Sequence, residues 1–175
     1  MNYALFTDVS LNPELKIGLG AYLMMPHSML DIPPEKIDKL TILNHMVFRT
    51  FNDTSSTKLE LQTALWAMEE CLGKKSNTVF TLYTDSQCIS GLLKRRKRLE
   101  MNNYLSKRTS SLLKHAILYK SFYALFDKSE FNIKKVTGHK PSNLHNTVHR
   151  IFSYVDKEVR KQLKAELEKY NKETK

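Results

Sequence analysis

Strand-like and helix-like apolar patterns follow one another along this chain in an order that few folds accommodate. Three short runs come first: Tyr3 to Asp8, Ile17 to Met25, and His45 to Phe51, with the turn material Asn12-Pro13 between the first two. They predict three consecutive strands joined as an antiparallel meander. The period then turns helical, with Leu61, Ala64, Leu65, Met68 and Leu72 on one stripe behind the cap candidates Ser55, Ser56 and Thr57, and Gly73 as the stop. Val79 to Thr84 reads as a buried strand, Gln87 to about Leu93 as a helix, and Leu112 to Phe126 as another. Phe131 to Val136 is a fifth strand, and Ile151, Val155, Val159 and Leu163 mark a last helix that runs into a charged tail at about residues 164–175. The order βββ-α-β-αα-β-α requires an α/β fold with a five-stranded mixed sheet. Its first three strands are antiparallel and the later ones enter through helical crossovers, because strands separated by helices pair in parallel.

At 175 residues, with 41% apolar and 26% charged residues, the chain is expected to form one domain over 1–175. This balance excludes a disordered tail, a collagen-like repeat and a disulfide scaffold. Pro26, Pro33 and Pro34 make residues 26–44 read as a long connection. The start MNYALFTDVS has neither a basic n-region nor an apolar h-region, and Cys71 and Cys88 lack a metal-ligand spacing. A monomeric cytoplasmic protein with free buried thiols is expected.

Lys and Arg number 28 against 18 Asp and Glu, a net charge of +10 that points to a polyanion, foremost nucleic acid. A membrane partner is not expected, since the apolar runs are short and no basic amphipathic face carries Trp and Phe anchors. Lys94, Arg95, Arg96, Lys97, Arg98, Lys107 and Arg108, opposed only by Glu100, supply +6 of that charge within residues 94–108. Such a run reads as a solvated face, an import signal or a phosphate-binding stretch.

Two predicted strands deliver a carboxylate after a threonine: Asp8 after Leu5-Phe6-Thr7 and Asp85 after Leu82-Tyr83-Thr84. In open α/β sheets, sites gather at the carboxyl ends of strands, although an acid there also serves as a turn residue or a helix cap. A third acid, Glu60, stands on the first turn of the long helix at the rim of its apolar stripe. Thr57-Lys58-Leu59-Glu60 also fits the capping-box pattern, so spacing leaves both roles open.

The segments FTDVS, TKLELQTALWAMEE, YTDSQ, VTGH and SYVDKEVRK, in this order, resemble the type 1 ribonuclease H family over nearly the whole chain. The resemblance implies the ribonuclease H-like fold and a metal-dependent endonuclease that hydrolyses the RNA strand of RNA–DNA hybrids. Two Mg²⁺ or Mn²⁺ ions would be held by Asp8, Glu60, Asp85 and Asp156. Hard cations of this kind prefer carboxylate oxygen and water, and a pair of them can serve both sides of a phosphodiester. By the same resemblance His139, after Gly138, is a mobile loop histidine assisting proton transfer. Ser10, Asn12, Ser56, Thr57, Ser86 and Gln87 would meet the substrate, with the 2′-hydroxyl distinguishing RNA. Arg95, Arg96, Lys97 and Arg98 would sit on a basic protrusion that grips the strand opposite the one cleaved. Tyr104, Asn102 and Asn103 are read as exposed loop residues, and His145 and His149, spaced i, i+4, as surface residues.

The sequence departs from the family in three places. Val9 stands where the first motif has Gly, and residues 26–44 and 139–156 are longer than in compact members. The second elongation leaves Asp156 and Glu158 competing for the fourth acid. Periodicity favours Asp156, which borders the stripe of Phe152, Val155, Val159 and Leu163. Glu158, Lys157, Arg160 and Lys161 are placed toward solvent. A noncatalytic module binding hybrid or double-stranded RNA is the alternative function, opposed by the presence of all four acids. Integrases and resolvases share the fold but place the last acid differently and carry additional domains. A reverse-transcriptase-attached domain is not expected of a chain that begins at the first strand.

Overall fold

A computed structural model of the chain describes residues 2–74, 78–137 and 146–173. Strands β1 (Asn2–Asn12), β2 (Ile17–Pro26) and β3 (Met46–Phe51) form the expected meander, and β4 (Val79–Thr84) and β5 (Phe131–Lys135) complete the sheet. Its order is β3-β2-β1-β4-β5. β1–β2 and β2–β3 are antiparallel, β1–β4 and β4–β5 parallel, as the βββ-α-β-αα-β-α pattern demands.

The helices are α1 (Lys39–Asn44), α2 (Ser56–Lys74), α3 (Gln87–Ser90), α4 (Leu92–Met101), α5 (Ala116–Asp127) and α6 (Thr147–Glu173). Alternation along β1 divides the core between the two faces of the sheet. Tyr3 and Leu5 join Leu61, Ala64, Met68, Tyr119 and Phe122 on the face covered by α2 and α5. Ala4 and Phe6 join Ile151, Phe152, Val155 and Val159 on the face covered by α6.

The connection over residues 26–44 is more ordered than its prolines suggest. Two short 3₁₀ turns, His27–Asp31 and Pro34–Lys36, precede α1, which is capped by Asp38 accepting from the Thr41 amide at 2.8 Å. Ile37 and Ile42 are buried beside α6, and the Thr147 hydroxyl donates to the Ile32 carbonyl. The extra length covers an apolar face.

Two glycines on β2 allow the close approach of α2. A Cβ at Gly18 would collide with Leu59, and one at Gly20 with Thr63. Neither Cys71, which is buried, nor Cys88, which is half-buried, is part of a disulfide.

Candidate active site

β1 is longer than its apolar run, and that difference shapes the site. Its parallel pairing with β4 is described as far as Phe6↔Tyr83, whereas its antiparallel pairing with β2 continues to Asn12↔Ile17. Asp8 is therefore inside the strand, not at its end, but it lies where one neighbouring strand has stopped. Continuing the β1–β4 register by two residues sets Asp8 level with Asp85, which immediately follows β4. Both carboxylates share the alternation of Phe6 and Tyr83, toward the face covered by α6.

Here the sheet opens into a cleft of about 320 Å³. Asp8, Glu60, Asp85 and Asp156 all line it, together with Ser10, Ser56, Thr63, Ser86 and Arg160. The four acids predicted to act together thus come from β1, α2, the end of β4 and α6. On α6 Asp156 lines the cleft and Glu158 is not part of its lining. One expectation needs correction: the Glu158 side chain is only 12% exposed, against 28% for Asp156. Lys161 and Gln162, one turn on, fold over Glu158 at 3.8 and 2.8 Å.

Glu60 lines the cleft and does not occupy the capping-box position. α2 starts at Ser56, with the Leu59 amide donating to the Ser55 carbonyl at 2.7 Å, so Glu60 stands past the third helical position at which a capping-box Glu acts. Its carboxylate instead accepts the hydroxyl of Ser86. Ser86 also caps α3, accepting from the Ile89 amide at 3.2 Å, and so fastens the end of β4 to α2.

The electrostatics are those of four crowded acids with one guanidinium, Arg160, among the described residues of the lining. Asp8 is 8% exposed, and burial holds its carboxyl well above the usual carboxylate range. The negative charge of Asp85, and more weakly that of Asp156, pushes the same way, while the Val9 amide and Arg160 oppose it. Among the described residues the Asp8 Oδ2 has no hydrogen-bond partner. Glu60 is raised chiefly by its half-burial, with the Ser86 hydroxyl pulling it back and Asp85 adding to the rise. A buried carboxylate oxygen left without a donor, faced by further acids, suits a hard cation. Among the described residues no three acid, His or Cys side chains are close enough together to form a ready-made metal site. Mg²⁺ asks for fewer protein ligands than such a site would supply, since it keeps waters and takes phosphate oxygens rather than filling an all-protein shell.

The other expected substrate residues divide. Ser10, Ser56 and Ser86 line the cleft. Asn12 accepts from the Leu15 amide at 2.9 Å in the β1–β2 turn and borders an adjoining groove with Arg160. Thr57 is half-buried and Gln87 exposed at the start of α3, neither within the lining. His139 and His145 lie outside the described residues, and His149 contacts Asn146, the cap of α6.

The basic stretch begins as helix α4 and continues into turns, where Leu105 bridges Leu112. Lys94, Lys97, Arg98, Lys107 and Arg108 are exposed. Arg95 instead donates to the Cys88 carbonyl at 2.8 Å, and Arg96 grips Asp127 with both terminal nitrogens at 2.6 and 2.7 Å. Tyr104 is not an exposed loop residue. It is buried in the core beside Tyr123, turned inward by left-handed backbone at Asn103 and Tyr104 themselves, at φ 49° and 59°.

Thr63 and Arg160 are site residues that the sequence did not single out. Thr63 is fully buried against Gly20, and the signal that could have found it is the small residue facing it across the sheet. Arg160 is exposed, as expected, and it also pairs with Asp156 at 2.7 Å. An Asp-to-Arg spacing of i, i+4 on one helical face was the available signal.

The sequence model of the RNase H family matches residues 1–164. No curated protein matches the chain in sequence. Among solved structures, a foamy viral protease–reverse transcriptase in complex with double-stranded DNA is similar, with 12% identity and a TM-score of 0.56 over 88% of this chain and 94% of that one. The native protease–reverse transcriptase of prototype foamy virus is similar with 15% identity and a TM-score of 0.65, over 91% of this chain but only 20% of the larger one. At these identities the likeness is one of fold. Among the described residues no helix is long and apolar enough to cross a membrane.

Proposed function

The chain belongs to the RNase H family, and on that premise we propose that it is an endonuclease hydrolysing the RNA strand of RNA–DNA hybrids with the aid of divalent cations. The observation that carries this reading is the meeting of Asp8, Glu60, Asp85 and Asp156 around one cleft, with the buried Oδ2 of Asp8 lacking a partner among the described residues. Two Mg²⁺ or Mn²⁺ ions held by these acids would activate the attacking water and neutralise charge on the leaving 3′ oxygen.

The protein's own contribution is positioning. Ser86 fixes Glu60 and the end of β4 in one arrangement, so two of the acids do not reorganise independently. Ser10 and Ser56 stand on the cleft wall where a sugar hydroxyl of the cleaved strand would lie, with Asn12, Thr57 and Gln87 at greater remove. His139 is assigned to proton transfer at the leaving group.

The basic stretch over residues 94–108 is assigned to the phosphates of the opposite strand, which add affinity and register but little sequence reading. Replacing Lys94, Lys97 and Arg98 together by Ala should flatten the salt dependence of hybrid binding by about 0.7 to 0.9 in slope for each phosphate no longer neutralised. Replacing Arg95 and Arg96 should change that slope less, because their guanidinium groups already have partners in the protein. Equal slopes in both variants and the parent would mark the stretch as a solvated face.

Labelled RNA–DNA hybrid, duplex RNA and duplex DNA, each incubated with the protein in Mg²⁺ or in chelator, test the assignment directly. Cutting of the hybrid's RNA strand in Mg²⁺ alone is expected. Tight hybrid binding with no cleavage in Mg²⁺ or Mn²⁺ would instead identify a noncatalytic binding module.

A further inference from the structure

Four carboxylates line the cleft, and among the described residues Arg160 is the one basic side chain that lines it with them. Asp156 and Arg160 are four apart on α6, so they lie one turn from each other on the same face. The guanidinium Nη2 stands 2.7 Å from Asp156 Oδ1, and the Arg160 charge also reaches Asp8, opposing the rise that burial and Asp85 impose there.

A guanidinium on a carboxylate that must hold a cation is in the wrong place for the loaded state, since the two positive charges would repel across a short distance. The pair is also weakly held. The Arg160 side chain is 58% exposed, and ion pairs in such solvent contribute little. It can therefore leave at small cost. Its other surroundings show where it can go, because Arg160 also borders the adjoining groove beside Asn12 and Pro13, where the β1–β2 turn meets α6. The planar guanidinium fork matches two phosphate oxygens at once, which a lysine cannot do.

We propose that Arg160 is an exchangeable counter-ion: it occupies Asp156 in the cation-free protein, yields that carboxylate when a divalent cation enters, and then holds a backbone phosphate of the bound strand. This inference rests on the reading of the cleft as a cation site. It makes cation entry and strand binding mutually supportive, because a phosphate takes up the guanidinium that the cation displaces.

The first test is calorimetric titration of Mn²⁺ alone into the full chain without nucleic acid. Arg160→Gln should bind Mn²⁺ roughly 3- to 10-fold more tightly than the parent, at about 1.4 kcal/mol per tenfold change. Lys164→Gln, which removes an equal charge one turn further along α6, should leave the titration unchanged. The second test is the salt dependence of binding to a hybrid with a 2′-O-methylated RNA strand. In Mg²⁺, Arg160→Gln should reduce the slope by about 0.7 to 0.9, the share of one neutralised phosphate. In chelator the slopes of variant and parent should coincide. Unchanged or weaker Mn²⁺ binding by Arg160→Gln, or tightening of equal size in Lys164→Gln, would overturn the proposal. If Asp156→Asn still weakens Mn²⁺ binding in that case, only the role of Arg160 has failed. Absence of Mn²⁺ binding by the parent would remove the cation site and this inference with it.

Discussion

Asp8→Asn should abolish cleavage and at the same time raise the thermal stability of the cation-free protein. Loss of function follows from the proposed reading of Asp8 as an anionic ligand of the cations. A fall of about a thousandfold or more in turnover corresponds to roughly 4 kcal/mol of transition-state stabilisation, within the several kcal/mol that a bound cation supplies. The gain in stability follows from burial. Asp8 is almost out of solvent, its Oδ2 has no donor among the described residues, and Asp85 faces it with like charge. An asparagine keeps the shape, carries no charge, and brings an amide N–H₂ that can donate to a neighbouring carboxylate. The melting temperature in chelator at pH 7 should rise by a few degrees, at about 2 to 4 °C per kcal/mol for a chain of this size.

The pH dependence of that difference has a definite sign. Because the folded-state value of Asp8 is raised well above its ordinary 3.8, the folded protein binds the proton more tightly than the unfolded chain. The stabilising contribution is fully present below the unfolded value and is lost as pH rises through the folded one. Glu60 acts in the same direction. Melting curves in chelator from pH 4 upward should therefore show the parent losing ground to Asp8→Asn as pH increases. A variant that is less stable than the parent at pH 7 in chelator would show that Asp8 is compensated by groups beyond those described. Mg²⁺ should stabilise the parent through binding to the folded state and should stabilise the variant much less.

Asp156→Asn should reduce cleavage in Mg²⁺ by about a hundredfold or more, roughly 2.7 kcal/mol, with partial recovery in Mn²⁺, while Glu158→Gln should stay within about a factor of two. The two residues are separated by about 200° around the helix axis at 100° per residue, so both cannot face one cleft. Asp156 lines the cleft, and Glu158 is held by Lys161 and Gln162 elsewhere on α6. Glutamine at 158 preserves the side-chain length and can still hydrogen-bond Gln162. Side-by-side cleavage assays with the opposite ranking would place Glu158 on the metals and displace the register of α6.

The order of strands and helices and the mixed sheet were legible in the chain from its patterning, and four candidate acids from its resemblance to a family. The patterning is local information: period 2 in Tyr3 to Asp8, helical period in Leu61 to Leu72, and Asp8 and Asp85 at the ends of apolar runs. The exclusion of Glu60 from a capping box, the ion pair of Arg160, the burial of Tyr104 and the half-burial of Glu158 were decided only by the fold. In every one of these cases the deciding partner is distant in sequence or depends on side-chain direction. Ser86 reaches Glu60 across 26 residues, and Arg96 reaches Asp127 across 31. Periodicity reports which way a residue points relative to its own element, whereas the charge and solvent around it depend on what other elements bring alongside. The unequal pairing of β1, longer with β2 than with β4, belongs to the second kind: it exists only between strands, and it opens the sheet at Asp8.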